Sequence, residues 1–122
     1  MLVVEDEWLV LADLAAELTQ AGWNVIEART GEGAVEELRN GHRINLLVTD
    51  IQLAGHVSGW EVAEIARTIE PDLPVIYASG NQANEARKVA GSVFLSKPCQ
   101  GSKIAKLGRE LVGTRDRDPN GD

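Results

Sequence analysis

Acidic residues stand at the carboxyl ends of two apolar runs in this 122-residue chain. Glu5 and Asp6 follow the run at residues 2–4, and Asp50 closes the run at residues 45–49. Taken separately, acids at a helix start suit the helix dipole, and an aspartate after a strand is a common turn former. If the fold brings all three carboxylates together, their repulsion raises their pKa values unless a cation is bound. Because Mg²⁺ prefers oxygen ligands, these residues together predict a site for a hard divalent cation.

A hydroxyl and an amine end two further apolar runs. Ser79 follows residues 74–78, and Lys97 follows residues 92–96. Alone, the Ser79 sequence is an ordinary turn, and a lysine in such a position is a solvated charge. Beside Asp50 they complete a set suited to phosphoryl transfer to a carboxylate. Asp50 supplies a nucleophilic oxygen, while the cation, Lys97 and Ser79 meet the charge on the transferred group.

The elements that must position these residues are five short aliphatic runs alternating with five helical patterns. Three of the runs (LVV, INLLV and PVIYA) are almost continuously apolar, which is typical of strands buried on both faces of a parallel sheet. Right-handed crossovers then favour a doubly wound, flavodoxin-like α/β fold with five strands in the order 2-1-3-4-5. In this order strands 1, 3, 4 and 5 are contiguous, so the polar residues share one edge. The predicted strands are Leu2–Glu5, Asn24–Ala28, Asn45–Asp50, Pro74–Ala78 and Ser92–Ser96.

Apolar spacing and capping residues predict the helices. Thr30 can cap the second helix, and Ser58 with Glu61 has capping-box spacing for the third. The final stretch from Arg115 has no apolar residue and predicts a polar tail or linker stub. The predicted helices are Trp8–Ala21, Thr30 to Asn40, Ser58 to the residue before Pro71, Asn84–Ala90, and from after Pro98 to Val112.

The composition excludes several classes of protein. With 12 basic and 19 acidic residues, the formal charge of −7 argues against a nucleic-acid binder and leaves no basic face for an anionic membrane. No apolar run approaches the roughly 18 residues of a membrane span, and the N-terminus lacks a signal-peptide pattern. The single cysteine, Cys99, cannot form an internal disulfide. We therefore expect a single cytoplasmic domain with no membrane insertion and no direct nucleic-acid contact.

Four motifs, in order and spacing, resemble the CheY-like receiver domain of two-component response regulators. They are LVVEDE (residues 2–7), LLVTDIQL (46–53), PVIYASGN (74–81) and VFLSKP (93–98). The resemblance implies a receiver domain over residues 1–113, followed by a polar tail or linker stub at residues 114–122.

The resemblance also implies a role for each acidic residue. Asp50 would be the phosphoacceptor, and Mg²⁺ would be held by Glu5, Asp6, Asp50 and the backbone carbonyl of Gln52. The phosphoryl donor would be a phosphohistidine on a sensor histidine kinase or a histidine phosphotransfer protein. The domain would assist its own phosphorylation and dephosphorylation as part of a two-component system or phosphorelay, but it would not be an enzyme.

A second group of residues would bind the phosphoryl group or change position when it is present. The resemblance implies that Lys97 pairs with the phosphoryl oxygens, that Ser79 moves to bond them, and that Phe94 is the switch aromatic residue. The peptide bond before Pro98 is expected to be cis. The modified surface would be the fourth predicted helix, the fifth strand and the fifth helix, which bind a downstream protein.

The chain departs from the family pattern at several positions. The acid pair is Glu-Asp where Asp-Asp is commoner, the hydroxyl is serine where threonine is frequent, and Phe94 lacks the hydroxyl of a switch tyrosine. The loop after Asp50 lacks the usual Met-Pro and runs one residue longer, to Gly59.

Two alternatives remain open. One is a binding module of the same fold that works without phosphorylation. The other is an enzyme, either an aspartyl-phosphate hydrolase or a flavodoxin-like nucleotide binder. Gln52 stands where the hydrolase usually has a second aspartate, and no glycine-rich phosphate loop follows the first strand.

Overall fold

A five-stranded parallel sheet forms the centre of the molecule. The structure is a computed structural model that describes residues 1–80 and 87–116. The strands are Leu2–Val4 (β1), Ile26–Ala28 (β2), Leu47–Thr49 (β3), Val75–Ser79 (β4) and Val93–Ser96 (β5). The strand order is β2-β1-β3-β4-β5, and every neighbouring pair is parallel, which confirms the predicted topology.

Helices cover both faces of the sheet, and this explains the continuous apolar runs. Leu2 and Val4 face one core cluster while Val3 between them faces the other, because successive side chains of a strand point to opposite sides. One cluster includes residues of the second and third helices of the structure, and the other includes residues of the first and the last described helix. None of the described helices has the length and apolarity that crossing a membrane requires. The helices are Trp8–Gln20 (α1), Gly31–Arg39 (α2), Gly59–Ile69 (α3) and Gly101–Asp116 (α4).

The predicted fourth helix, Asn84–Ala90, is not confirmed. Its first three residues lie outside the described part of the chain, and residues 87–90 form turns instead of a helix. The backbone N–H of Val89 donates to the Tyr77 hydroxyl (3.1 Å), and the Val89 carbonyl accepts from Ser92 Oγ (2.7 Å). With Gly91 at φ +72°, these bonds form a turn that leads directly into β5. Long-range bonding overrides the weak helical pattern here.

The capping predictions are confirmed, while several element ends differ from those predicted. Thr30 Oγ1 accepts from the N–H of Gly33 (2.9 Å), and Ser58 forms a complete capping box with Glu61. The strands are mostly shorter than predicted, so the acids at the ends of the first and third predicted strands lie just beyond them. The last helix runs to Asp116 instead of Val112, into the predicted tail. The predicted boundary after residue 113 stays a prediction.

Gly59 begins α3 directly against the backbone of Asp50. A Cβ atom at residue 59 would lie 1.8 Å from the Asp50 carbonyl oxygen and 2.8 Å from Ile51 Cα. The N–H of Gly59 also donates to the Ile51 carbonyl over 2.8 Å. Glycine therefore lets α3 start close enough to fix the end of β3, where the site begins.

We predict that Gly59→Ala destabilises the protein by about 1–3 kcal/mol or more, because backbone atoms must move to admit the methyl group. The free energy of unfolding, measured by urea denaturation, checks this. The matched control is Gly113→Ala in α4, where a Cβ atom would meet nothing within 4 Å. Alanine there should be neutral or stabilising. Equal stability of Gly59→Ala and the unmodified chain would contradict the proposed close contact.

Candidate functional site

The predicted site residues meet at the carboxyl edge of four contiguous strands. Glu5 lies one residue beyond β1, Asp50 one beyond β3 and Lys97 one beyond β5, while Ser79 is the last residue of β4. The Asp50 N–H donates to the Val4 carbonyl over 3.0 Å, which places the end of β3 beside the start of the acidic loop. The sheet order therefore brings together groups that are up to 92 residues apart in sequence.

Lys97 joins two of the carboxylates. Its Nζ donates to Glu5 Oε1 (2.5 Å) and to Asp50 Oδ2 (2.8 Å). The side chains of Glu5 and Asp50 are only 3% and 11% exposed, and that of Lys97 is 24% exposed. Although burial opposes its charge, the hydrogen bonds and charges of Asp50 and Glu5 raise the pKa of Lys97. The ammonium group is therefore charged at neutral pH, and it is shared between the two acids.

Backbone N–H groups hold the other oxygen of Asp50. Oδ1 accepts from the N–H of Ile51 (2.6 Å) and from that of Gln52 (3.3 Å). With Oδ2 on Lys97, both carboxylate oxygens have fixed partners. These donors orient the carboxylate before any ligand binds, a form of preorganisation that reduces the cost of reaching a reactive geometry.

Glu5 is the most buried acid of the site. Its Oε2 accepts from the Glu7 N–H (3.0 Å), and its Oε1 accepts from Lys97. Burial raises the pKa of the Glu5 carboxyl group in spite of these bonds, and the nearby charge of Asp50 acts in the same direction. An added positive charge at this position would therefore favour the ionised form of Glu5.

Three carboxylates are close enough to share a cation. Each of Glu5, Asp6 and Asp50 offers an oxygen, and these oxygens lie within 4.8 Å of one another. Such a set of hard oxygen donors fits Mg²⁺. Gln52, the fourth predicted ligand, is the second residue after Asp50 and lies at the same cleft.

An open cleft of about 520 Å³ gives access to these groups. Ser79 is itself 2% exposed, yet it lines this cleft with Asp50 and Lys97. The cleft thus combines a nucleophilic carboxylate, a hydroxyl and an ammonium group around one space. It is lined by Asp6, Glu7, Asp50, Gln52, Leu53, Ala54, Ser79, Gly80 and Lys97.

Two predicted switch residues, Phe94 and Pro98, belong to β5 and to the segment directly after it, where Lys97 lines the cleft. The peptide bond between Lys97 and Pro98 is cis, as predicted. Phe94 on β5 is partly buried, and its ring centroid lies 6.3 Å from that of Tyr77 on β4. Tyr77 in turn packs at 4.8 Å from Trp60 of α3. Phe94 therefore contacts an aromatic group that extends into the core, although its movement stays a prediction.

Sequence reasoning missed two kinds of contributor. The first is the set of backbone donors to the acids, which any residue type can supply and which therefore leave no signal in the sequence. The second is Tyr77, which reads as one more apolar strand residue. Its hydroxyl accepts from the N–H of Val89 and so ties β4 to the turn before β5. That pairing joins residues 12 apart, and no local pattern predicts it.

Comparisons with known proteins show which family this chain resembles. The family model described as "Response regulator receiver domain" matches residues 1–108. A response regulator receiver protein from Sinorhizobium medicae WSM419 is 35% identical, with a TM-score of 0.89 and 94% of each chain covered. The phyllosphere-induced regulator PhyR of Methylorubrum extorquens is 32% identical over 109 residues, which are 88% of this chain and 41% of that protein.

A more distant structure is the receiver domain of the sensor histidine kinase PA1611 from Pseudomonas aeruginosa PAO1. It was solved with a magnesium ion coordinated in its active site cleft. It is 21% identical, with a TM-score of 0.79, and the match covers 92% of this chain and 95% of that one. At this identity the likeness shows the fold alone. Among the first curated relatives, this chain spans between 26% and 49% of their length.

We predict that Lys97→Met lowers stability in the absence of divalent cations by about 1–3 kcal/mol, because it leaves two buried carboxylates without their shared donor. Added Mg²⁺ should then raise the melting temperature of Lys97→Met more than that of the unmodified chain, since the ion replaces the missing charge. Differential scanning calorimetry with and without Mg²⁺ measures both effects.

The control for this prediction is Lys103→Met, which removes an exposed charge from α4. It should change neither the stability nor the response to Mg²⁺. An equal Mg²⁺-dependent shift in Lys97→Met and the unmodified chain would contradict the assignment of Lys97 as the charge that balances these acids.

Proposed function

This chain belongs to the response regulator receiver domain family, and we propose that Asp50 accepts a phosphoryl group from a phosphohistidine donor. The observation that carries the proposal is the setting of the Asp50 carboxylate. It is oriented by two backbone N–H groups and by Lys97, and it lines an open cleft beside two further acids. An aspartate that only forms a turn at the end of a strand requires none of these features.

The proposed reaction exchanges one bond to phosphorus for another. A carboxylate oxygen of Asp50 attacks the phosphorus, a new O–P bond forms, and the P–N bond to the donor imidazole breaks. The imidazole leaves with the bonding electron pair and takes up a proton from solvent. The carboxylate charge of Asp50 is lost, and the incoming phosphoryl group brings more negative charge into the cleft.

Lys97 and Ser79 supply the stabilisation that this step needs. The Lys97 ammonium stays charged at neutral pH and lies 2.8 Å from Asp50, so it can follow the negative charge onto the phosphoryl oxygens. The Ser79 hydroxyl lines the same cleft and can donate to one of these oxygens. If Lys97 moves toward the phosphoryl group, its hydrogen bond to Glu5 weakens. The effect of phosphorylation would reach β1 through this hydrogen bond.

Glu5, Asp6 and Asp50, with the backbone carbonyl of Gln52, are the proposed ligands of Mg²⁺. The ion would neutralise negative charge that builds up on the transferring group. The chain's own contribution is to hold three carboxylates within 4.8 Å of one another, at a cleft open to solvent. The magnesium ion in the cleft of the PA1611 receiver domain supports this proposal.

The partners follow from the same chemistry. We propose a sensor histidine kinase or a histidine phosphotransfer protein as the donor, and a downstream protein that binds the surface formed by β5, α4 and, from the predicted fourth helix, the described residues 87–90. Basic residues on this surface, among them Lys103, Lys106 and Arg109 of α4, would favour an acidic partner. The chain would act as a signalling module in the cytoplasm, not as an enzyme.

A module that binds partners without phosphorylation is the alternative. In such a module the site residues serve only stability. That role is at odds with the arrangement of Glu5, Asp6 and Asp50, because gathering three carboxylates is electrostatically unfavourable. The intact set of acids, hydroxyl and amine therefore favours the phosphoacceptor.

We predict that a small phosphoryl donor, such as acetyl phosphate, labels this chain at Asp50 in the presence of Mg²⁺ and not in the presence of EDTA. Asp50→Asn should abolish the label, because an amide cannot supply the nucleophilic oxygen. Intact-protein mass spectrometry detects the added phosphoryl group, and peptide mapping after borohydride reduction locates it.

The control for labelling is Asp72→Asn, which removes an exposed carboxylate between α3 and β4 and should leave labelling unchanged. A label that persists in Asp50→Asn would refute Asp50 as the phosphoacceptor. Absence of label in the unmodified chain, with donor, Mg²⁺ and a cognate kinase all supplied, would favour the module that binds without phosphorylation.

A further inference from the structure

The loop between β3 and α3 forms one wall of the site cleft. Gln52, Leu53 and Ala54 line the cleft, and the N–H of Gln52 donates to Asp50 Oδ1. This inner half of the loop therefore sets part of the surroundings of Asp50. The outer half, residues 55–57, lies against the start of α2.

A carboxylate of α2 holds the outer half of the loop. Glu32 is the second residue of α2, and its Oε2 accepts from the backbone N–H of His56 over 3.0 Å. This hydrogen bond is the main reason that the pKa of the Glu32 carboxyl group is lowered, so the group is ionised at neutral pH. A hydrogen bond to an ionised acceptor is stronger than one between neutral groups.

Two glycines allow the loop to lie close to α2 at this point, one beside the loop backbone and one beside the Glu32 carboxylate. A Cβ atom at Gly31 would lie 2.3 Å from the carbonyl oxygen of Val57. Gly55 has φ +93°, a conformation that favours glycine, and a Cβ atom there would lie 2.7 Å from Glu32 Oε1. The outer half of the loop therefore packs against α2, and Glu32 supplies a hydrogen bond between the two.

From this geometry we propose that Glu32 is a positioning residue for the site. By holding the His56 N–H, it sets the path of residues 52–54 and so the affinity of the site for Mg²⁺. The inference rests on the proposed function, in which the backbone carbonyl of Gln52 is a metal ligand.

The chain offers variants that separate the hydrogen bond from the charge. Glu32→Ala removes both the acceptor and the charge, whereas Glu32→Gln keeps an acceptor oxygen and removes only the charge. Glu36→Ala removes the same charge one turn further along α2, from another exposed residue. His56→Ala keeps the backbone N–H, so it leaves the hydrogen bond in place.

The test is the Mg²⁺ affinity of these four variants, measured by isothermal titration calorimetry well below their melting temperatures. We expect Glu32→Ala to bind Mg²⁺ roughly fivefold more weakly, the size of effect that the loss of one hydrogen bond has. Glu36→Ala and His56→Ala should bind nearly as tightly as the unmodified chain, and Glu32→Gln should lie between these and Glu32→Ala, because a neutral acceptor holds the N–H less strongly. In the metal-free protein, the amide of residue 56 should exchange with solvent fastest in Glu32→Ala and at the unmodified rate in Glu36→Ala.

Two results would overturn the inference if the unmodified chain binds Mg²⁺. One is unchanged Mg²⁺ affinity in Glu32→Ala while the unmodified chain binds Mg²⁺ and is labelled at Asp50, which leaves the proposed function standing. The other is equal weakening in Glu32→Ala, Glu32→Gln and Glu36→Ala, which would assign the effect to charge alone. If the unmodified chain bound no Mg²⁺, both the proposed metal site and this inference would be wrong.

Discussion

The site depends on one shared cation, the Lys97 ammonium group that lies between Glu5 and Asp50. Two nearly buried carboxylates side by side are unfavourable in a folded protein, and here a single amine compensates both. The single amine does not balance all of the negative charge, because Asp6 adds a third carboxylate at the same point. A site balanced in this way would respond to added charge of either sign, which the proposed switching by Mg²⁺ and a phosphoryl group requires.

The parallel sheet is what makes this contact possible. Residues 5, 50 and 97 come from three different strand ends, and they meet because the carboxyl ends of parallel strands lie at one edge. Gly59 then lets α3 begin against the Asp50 backbone, and Glu32 fastens the connecting loop to α2. Several contacts connect this edge to the rest of the fold. Among these are the bond from Lys97 to Glu5 and the aromatic contact of Phe94 with Tyr77.

Much of this organisation could be predicted from the sequence. The continuous apolar runs indicated strands buried on both faces, and the residues at their ends indicated one edge rich in polar groups, as the structure confirms. The helix predicted for residues 84–90 is wrong for its described part, residues 87–90. The Tyr77 hydroxyl and Gly91 impose a turn on residues 87–90, and both act through contacts that local periodicity does not contain. The backbone donors to Asp50 and the Glu32 contact were equally out of reach, because they depend on how a loop is folded and not on which residues it contains.

In the proposed phosphorylated state, Asp50, Lys97 and Ser79 surround one phosphoryl position beside a Mg²⁺ ion. A crystal structure with Mg²⁺ and beryllofluoride, a stable mimic of the phosphoryl group on aspartate, would reveal this arrangement. We expect beryllium bonded to a carboxylate oxygen of Asp50, with its fluorides within hydrogen-bonding distance of Lys97 Nζ and Ser79 Oγ, and Mg²⁺ on Glu5, Asp6 and Asp50. Beryllofluoride bound at another residue, or Lys97 still joined to both carboxylates in the bound state, would contradict it.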